Sequence, residues 1–588
     1  MEKLKMHSVN LTEENIDRIA ELFPNVVTES LDANGRPTRA IDFDALRQEL
    51  SDHIVEGPQE RYQLDWPGKR AAAFAANAPI AKTLRPMREE SVDFDTTKNL
   101  FIEGDNLDAL KLLQESYLGK VKLIYIDPPY NTGNDFVYRD DFAESTAEYL
   151  ERSRQRSDSG ERLVANTEAN GRFHSDWLSM MYPRLKLARN LLRPDGAIVA
   201  SIDDGEVATL RLLMDEIYGA VNYVGTFVWK SRQNVDSRNK SNLSSDHEYV
   251  VVYARDASNF TLLGRDIDQS KYSNPDNDPR GPWMSNNILG LADAKRRPNL
   301  HYELVDPATG RSFSPPADSG WRYSRDTMAS KIGEGRILFP SNEAGRPREK
   351  LFMSELQTLR TGVSSVLGAG AGFTLNGTRE VRRILGGRFF DFPKPLSLVR
   401  DLLAQVVADD PTALVLDFFA GSSTTAHAVM AANTEDGSNR RFVMVQAPER
   451  LESTSEAVSA GYSTIADVSR QRVREAGKAL AARSELANVD TGFRGLRVES
   501  TNMVEVNTSA DVLNQGDLLR LIDIVKPDRT DEDLLFQVLL DWGLDLSLPI
   551  QRVVPRERER ERQRPLAHYV LPRRGRCAHR MLQHGGVH

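Results

Sequence analysis

The run Val121 to Ile126 (VKLIYI) ends on Asp127, Pro128, Pro129 and Tyr130. Six residues of this apolar character suit a strand buried on both faces. Two successive prolines stop it, because they remove backbone donors and bar the preceding residue from helix. A strand covered on both faces belongs to a mostly parallel sheet flanked by helices, and such open sheets take their ligands at the carboxyl ends of the strands. The stretch therefore sets an acceptor, a stiff backbone and an aromatic face in the usual ligand crevice, a setting for a planar polar ring. The same four residues also make an ordinary turn, since Asp-Pro pairs stop strands in many chains. The remainder of the sequence has to decide between the two.

Two further strand-turn-helix patterns bear on that choice. Before the proline turn, LFIEGDNLDALKLLQESY reads as a strand from Leu100, a turn at Gly104-Asp105, and a helix with apolar positions at Leu107, Leu110, Leu113 and Tyr117. Asp105 suits a helix cap, and also lies where it could reach a ligand in the same crevice. Far downstream, ALVLDFF from Ala413 runs into Ala420, Gly421, Ser422, Ser423, Thr424 and Thr425 and then a helix, AHAVMAAN. Small residues between a strand and a helix amino terminus leave backbone N–H groups pointing at an anion or cofactor. The next strand, RFVMVQ, ends in Gln446 with Glu449 close behind, where such folds place a polar group on a ribose hydroxyl. Between these patterns, WLSMMYPRLKLARNLL reads as a helix kinked at Pro183 and capped by Ser175 or Asp176, closed by Arg193-Pro194-Asp195-Gly196, and AIVASI as another buried strand. The alternation predicts an α/β fold with a doubly wound, mostly parallel sheet.

The sheet pattern breaks off after Trp229 and resumes with FPKPLSLVRDLLAQVV at Phe392, a helix opened by prolines. The intervening stretch, in which HEYVVVYA is the one β-rich run, reads as an inserted module. Charge sets it apart, since Gly225 to Phe390 carries 24 Lys/Arg against 18 Asp/Glu on a chain of net charge -9. A locally basic region on an acidic protein suits one polyanion-facing surface, or a chance imbalance of solvated side chains. The expected organisation is an N-terminal helical element over 1–60, sheet segments over 61–228 and 389–485, the insert over 229–388, a small carboxyl-terminal domain over 486–550, and a tail from 551. Residues 464–484 read as an exposed helix. The tail holds ten Arg and no Lys between Arg552 and Arg580 and has no amphipathic period, so disorder or a reading-frame slip is the expectation. One cysteine, no apolar stretch of membrane length and no signal-peptide core in MEKLKMHSVN argue against disulfides, a cysteine metal site and a membrane span, and for a reducing cytoplasm.

Taken in order, LFIEGDNLDALKLLQESYLGKVKLIYIDPPYNTGNDF, HSDWLSMMYPRLKLARNLL, FPKPLSLV and LDFFAGSSTTAHAVM resemble an amino-group DNA methyltransferase of the permuted β class, specifically the modification subunit of a type III restriction-modification system. The resemblance covers roughly Tyr62 to Ile550. It implies a Rossmann-like S-adenosylmethionine-dependent fold with residues 229–388 as a DNA target-recognition domain. It further implies adenine-N6 specificity, since Asp rather than Ser heads the proline motif, and catalysis by Asp127, Pro128, Pro129 and Tyr130. Asp127 and the Pro128 carbonyl would accept the amine protons of a flipped-out adenine that stacks on Tyr130. No metal is implied, because a sulfonium is already an activated donor. For S-adenosylmethionine, the resemblance assigns Phe419, Gly421 and Thr424 to the main turn, Asp105 to the adenine, Gln446 or Glu449 to the ribose, and Lys394 and Pro395 to the methionine end. Ser423 replaces a second glycine usual in the family, which predicts a crowded cofactor or a strained backbone. Implied partners are double-stranded DNA, a second copy of the chain and an ATP-driven restriction subunit carrying the nuclease. The rival reading is an inactive DNA-recognition subunit. A nucleotide-dependent oxidoreductase would need a full Gly-x-Gly-x-x-Gly turn, which the chain lacks.

Overall fold

The computed structural model describes residues 11–22, 26–31, 37–43, 46, 64–132, 136–138, 163–165, 173–237, 242–291, 293–342, 345–482, 489–504, 525–553 and 568–570. The polar loop from Gly133, the charged stretch 139–162 and most of the arginine-rich tail lie outside them. Two compact units emerge, one formed by Met1–Leu262 with Ser364–His588 and the other by Leu263–Val363.

The first unit holds a ten-stranded sheet. In chain order its strands are β1 (Lys82–Pro86), β2 (Leu100–Glu103), β3 (Val121–Ile126), β4 (Leu192–Ile202), β5 (Tyr223–Lys230), β6 (His247–Ala254), β7 (Val366–Leu367), β8 (Leu414–Asp417), β9 (Arg441–Gln446) and β10 (Arg494–Ser500). They lie in the order β7-β5-β6-β4-β3-β8-β9-β2-β10-β1. The run from β4 to β10 is parallel, whereas β6 joins β4, β5 joins β6, and β1 joins β10 antiparallel. From β3 the next strand of the sheet lies to one side at β4, and from β8 it lies to the other at β9. The boundary between β3 and β8 is therefore the topological switch point, where an open sheet leaves a crevice beyond its carboxyl edge.

The helices that matter for the crevice are α1 (Asn106–Tyr117), α2 (Phe173–Leu191), α3 (Thr374–Leu385), α4 (Leu396–Val407), α5 (Thr424–Asp436), α6 (Ile465–Ala481) and α7 (Asp531–Asp541). β3 is buried along nearly its whole length, as its apolar run requires, and shares one core with Trp177 and Leu185 of α2 and Leu107 and Leu110 of α1.

Several sequence expectations shift. Arg193 to Gly196 do not merely end α2: they form a bulge inside β4, with Val121 opposite Leu192 but Leu123 opposite Ala197. Gly196 sits so close to β3 that a Cβ there would lie 2.9 Å from the Val121 carbonyl oxygen. α2 starts at Phe173, ahead of the Ser175-Asp176 pair. HEYVVVYA is β6 and belongs to the large sheet, so the compact second unit starts at Leu263 and ends at Val363. α6 is not an exposed helix, because Val468, Ser469, Arg470, Arg472, Val473 and Ala476 are all buried. Its buried arginines disguised an inward face as an outward one. Leu535, Phe536, Leu539 and Leu540 of α7 join the main core. At the amino terminus, within the expected helical element, a helix over Leu11–Leu22 is followed by a hairpin, Val27–Leu31 against Pro37–Ile41. The Asn34-Gly35 pair between those strands in the sequence is the signal that announces it. In the tail, Gln551–Val553 pairs with His568–Val570.

The second unit is built of short strands around Ile288, Tyr302, Leu304, Trp321, Met328 and Ile337. Trp283–Asn287 and Ile337–Leu338 both pair with Arg348–Phe352. Many of its basic side chains are already neutralised locally: Lys350 meets Asp276 and Asp278, and Arg336 meets Glu334 and Glu355. Lys295, Arg296 and Arg297 stand exposed in consecutive positions, with Arg296 3.6 Å from the Asp293 carboxylate. Among the described residues no helix is long and apolar enough to cross a membrane.

Candidate active site

The proline turn leaves β3 at the switch point, and its backbone is fixed from behind. Trp177 of α2, itself fully buried, donates its indole N–H to the Pro129 carbonyl at 2.8 Å. Asn131 then takes a left-handed conformation at φ 62° and is nearly buried. Its side-chain amide donates to the carboxylate of Glu206 at 2.6 Å and to the Phe173 carbonyl at 3.2 Å. Such side-chain bonds hold a positive-φ asparagine that would otherwise be disfavoured.

The contacts of Asp127 were not legible in sequence. The ammonium of Lys394 lies 2.8 Å from one of its carboxylate oxygens and donates to the other at 2.9 Å. Glu248 of β6 stands 3.4 Å from the same ammonium and accepts a 2.9 Å hydrogen bond from the Tyr130 hydroxyl. The ammonium also lies 4.7 Å from the centre of the Tyr130 ring, within cation–π range. Thus one cation, two carboxylates and one phenol share a small space. Lys394 is 9% exposed, Glu248 18% and Asp127 26%, so the cluster opens on its Asp127 side.

Their titration follows from that geometry. Burial pushes the Asp127 carboxyl up, with Lys394 pulling it back and Glu248 adding to the rise. Burial would lower Lys394, but Asp127 and Glu248 outweigh it and keep the ammonium charged. The Tyr130 phenol is pushed up well above its ordinary range, by burial first and then by the two carboxylates.

The second turn, after the adjacent strand β8, is shaped differently. Asp417, 2% exposed, accepts from the Phe419 backbone N–H at 3.0 Å and from the Thr425 hydroxyl at 2.6 Å, tying the start of the turn to the first residues of α5. Burial pushes its carboxyl up to about 7, against those two hydrogen bonds and with a further push from Asp127. Gly421, at φ 52°, donates its N–H to the Gln446 side-chain oxygen at 2.7 Å, and a Cβ there would lie 3.2 Å from the Phe390 ring. Gln446 also donates to the Ala447 carbonyl at 3.2 Å, so its amide holds the turn's shape. Glu449 is half-buried on the following loop, its backbone carbonyl taken by Ile465 of α6 at 2.9 Å.

Ser423 has the left-handed backbone expected of a glycine replacement, φ 58° and ψ 40°. Its hydroxyl does not face the crevice contents but meets Ser469 of α6 at 2.6 Å, and it is fully buried. The backbone shows the expected left-handed strain, and the hydroxyl is directed at α6. Three residues on, Arg472 of α6 donates to Ser422 at 2.6 Å and Thr424 at 2.7 Å. It is fully buried with the Glu380 carboxylate no nearer than 4.0 Å, so burial lowers it to about 10. Burial and the nearby Arg472, Arg383 and Arg400 push His427 down to about 3, which keeps its ring neutral.

The remaining residues join the turns. The Thr424 hydroxyl donates to the Lys394 backbone carbonyl at 3.1 Å, so one residue touches both turns, through its main chain on one side and its ammonium on the other. Pro395 is buried at the amino end of α4. Asp105 caps α1, accepting from Leu107 at 2.8 Å and Asp108 at 3.0 Å, and its other oxygen meets Arg184 at 3.1 Å. Asn106 reaches the Phe418 carbonyl at 2.9 Å, which ties the β2 turn to the β8 turn. Phe419 is 8% exposed, its ring centre 5.2 Å from that of Phe418. The structure brings Asp127, Tyr130, Lys394 and the Phe419 to Thr425 turn, all singled out in the sequence, to one place. The sequence pattern missed Glu248, Asp417, Glu206 and Arg472, of which only the His-Glu pair opening HEYVVVYA, polar residues at the head of an apolar strand, carried a visible signal.

A family model described as DNA methylase matches residues 121–456. The chain is 33% identical over 464 residues to the type III restriction-modification enzyme StyLTI Mod subunit of Salmonella typhimurium, covering 77% of this chain and 68% of that one. It is 32% identical over 479 residues to the type III restriction-modification enzyme EcoP15I Mod subunit of Escherichia coli, covering 75% and 71%. It is also 31% identical over 417 residues to the type II methyltransferase M.KpnI of Klebsiella pneumoniae, covering 68% and 91%.

Proposed function

Because the chain belongs to the DNA methylase family, among the modification subunits of type III restriction-modification enzymes, we propose that Asp127 and its turn receive the amine of a target adenine in DNA. The protein is an adenine-N6 DNA methyltransferase, and the observation that carries the assignment of roles is the pairing of two unlike turns across the switch point. One presents a carboxylate next to an aromatic ring, the other a glycine in a conformation that lets a ligand approach backbone.

An adenine amine is a weak nucleophile because its lone pair is delocalised into the ring. Asp127 and the Pro128 carbonyl accept its two protons, draw the nitrogen toward tetrahedral geometry and localise the lone pair, in a crevice where such preorganised acceptors act strongly. The double proline keeps those acceptors in place without reorganisation, and alignment of the amine with the donor supplies much of the remaining acceleration. Tyr130, its hydroxyl pinned by Glu248, offers the ring face for a base swung out of the duplex.

The residues of the second turn fit S-adenosylmethionine, since Gly421 has no side chain to block approach and Ser423 points its own into α6. Bound there, that cofactor supplies a methyl group activated by its positive sulfonium. Phe419 would pack on the adenine moiety, Gly421 and Thr424 would line the methionine end with Lys394 and Pro395, and Asp105 would accept from the cofactor's adenine. Gln446 or Glu449 would hold the ribose, the Gln446 amide also holding Gly421.

The Leu263–Val363 unit would carry target recognition, with Lys295, Arg296 and Arg297 on phosphates. Association with DNA and a restriction subunit follows from the family, and a dimer of this chain is the proposed assembly. Incubation with radiolabelled S-adenosylmethionine and mixed-sequence duplex DNA should label adenine, and Asp127→Ala should abolish labelling while thermal unfolding stays cooperative. Label on cytosine, or labelling that survives Asp127→Ala, would overturn the reading.

A further inference from the structure

We propose that Glu248 is a positioning residue that holds Lys394 off Asp127 when the target amine arrives, and that balances the positive charge brought by the methyl donor. The inference rests on the adenine reading above and deepens it.

The geometry poses a difficulty that a second carboxylate resolves. Lys394 lies within 2.9 Å of both Asp127 oxygens, so it competes with an incoming amine for the same acceptors. Its ammonium also sits 4.7 Å over the Tyr130 ring, on which the base has to stack. Glu248 stands 3.4 Å from that ammonium and is reached by a shift of well under the length of the side chain. Leaving Asp127 for Glu248 costs Lys394 little, because a buried ammonium exchanges one carboxylate for another instead of losing its only counter-charge.

Charge arithmetic gives the second half of the argument. Asp127, Glu248 and Lys394 together carry one net negative charge before any ligand binds. A sulfonium placed against the Asp127 amine site brings the sum to zero. Without Glu248 the site would be neutral when empty and positive when loaded, and a charge in a partly buried site is costly unless balanced. The Tyr130 hydrogen bond fixes the Glu248 carboxylate in position for this role.

The test compares the affinity of S-adenosylmethionine, which carries the sulfonium, with that of S-adenosylhomocysteine, its neutral thioether, by calorimetry on the full chain. Their ratio cancels contacts common to both. Glu248→Gln, which keeps the shape and can still accept from Tyr130, should lower the relative affinity for the charged ligand by roughly tenfold, the effect of one unit charge across a partly screened site. Lys394→Gln should raise it, and the double variant Glu248→Gln/Lys394→Gln, again singly negative, should return it to the wild-type ratio. A purely structural contribution would not restore the ratio in the double variant. Should Glu248→Gln fail to fold, Lys394→Gln and the double variant test the same order. Ratios that do not follow net charge, with both ligands bound by wild type, overturn this inference and leave the methyltransferase reading intact. Failure of wild type to bind either ligand sinks both.

Discussion

The turns after β3 and β8 are neighbours on adjacent parallel strands, yet they are made rigid by different means. Asp127 to Tyr130 is stiff through covalent structure, two proline rings and one indole hydrogen bond, and its side chains meet Lys394 and Glu248 and do not shape the backbone. Asp417 to Thr425 has no proline, and its shape depends on side chains: the Asp417 carboxylate, the Gln446 amide, Ser469 and Arg472. A group removed from the first turn should therefore alter reactivity with little effect on shape, and a group removed from the second should alter shape first. The largest effect expected is on the first turn. Asp127→Ala should lower kcat for DNA methylation by several thousandfold, about 5 kcal/mol of barrier. The melting temperature should change little, since Glu248 remains to neutralise Lys394. An unfolded Asp127→Ala variant would mean that the turn is held by its charges after all.

Asp417 is the counterpart on the other side of the comparison. Its folded carboxyl is raised to about 7 from an ordinary 3.8, so the folded state holds its proton more tightly than the unfolded state does. A raised group contributes stability at low pH that is lost as pH climbs through the folded value. Asp417→Asn, which has no proton to lose there, should gain on wild type by about 3 kcal/mol between about pH 5 and about pH 8. Chemical denaturation of both proteins across that window measures the difference. A difference that stays flat with pH would show that Asp417 is ionised throughout, and that its two hydrogen bonds outweigh burial.

How much of this was legible follows the same division. Strand, turn and helix periodicity carried the sheet and both turns, because a buried apolar run followed by prolines or small residues has few structural outcomes. Charge networks that cross the fold were not legible, since Glu248 lies 121 positions from Asp127 in sequence and only the antiparallel addition of β6 beside β4 brings it in. Polar residues that face inward misled the pattern outright. Ser469, Arg470 and Arg472 gave α6 the look of a solvent helix, when the first and last of them hold the second turn in place. Ser423 was flagged by its departure from glycine, but sequence had no means of telling which way its hydroxyl turns.

Gly421 tests the second turn through its backbone. At φ 52° a β-branched residue is strained whatever the space, and its Cβ would also press on Phe390 at 3.2 Å. Gly421→Val should weaken S-adenosylmethionine binding by about thirtyfold, about 2 kcal/mol. Wild-type affinity in that variant would mean that the turn tolerates reshaping, and the contrast with the proline turn would fail.

The smallest effect belongs to Ser423, where two opposing terms nearly cancel. Replacing it with glycine relieves a left-handed conformation that costs an ordinary residue about 1–2 kcal/mol. The same change removes a buried hydroxyl pair and strands Ser469, which is fully buried, at a penalty of about 1–2 kcal/mol. Ser423→Gly alone should therefore leave the melting temperature close to that of wild type. Ser423→Gly with Ser469→Ala removes both hydroxyls together, so the relief of strain is no longer offset by an orphaned group. The double variant should be more stable by about 1 kcal/mol. If the double variant instead loses stability, the Ser423–Ser469 pair does more than occupy the place of a glycine: it anchors α6 to the turn, and the strain at Ser423 is the smaller term.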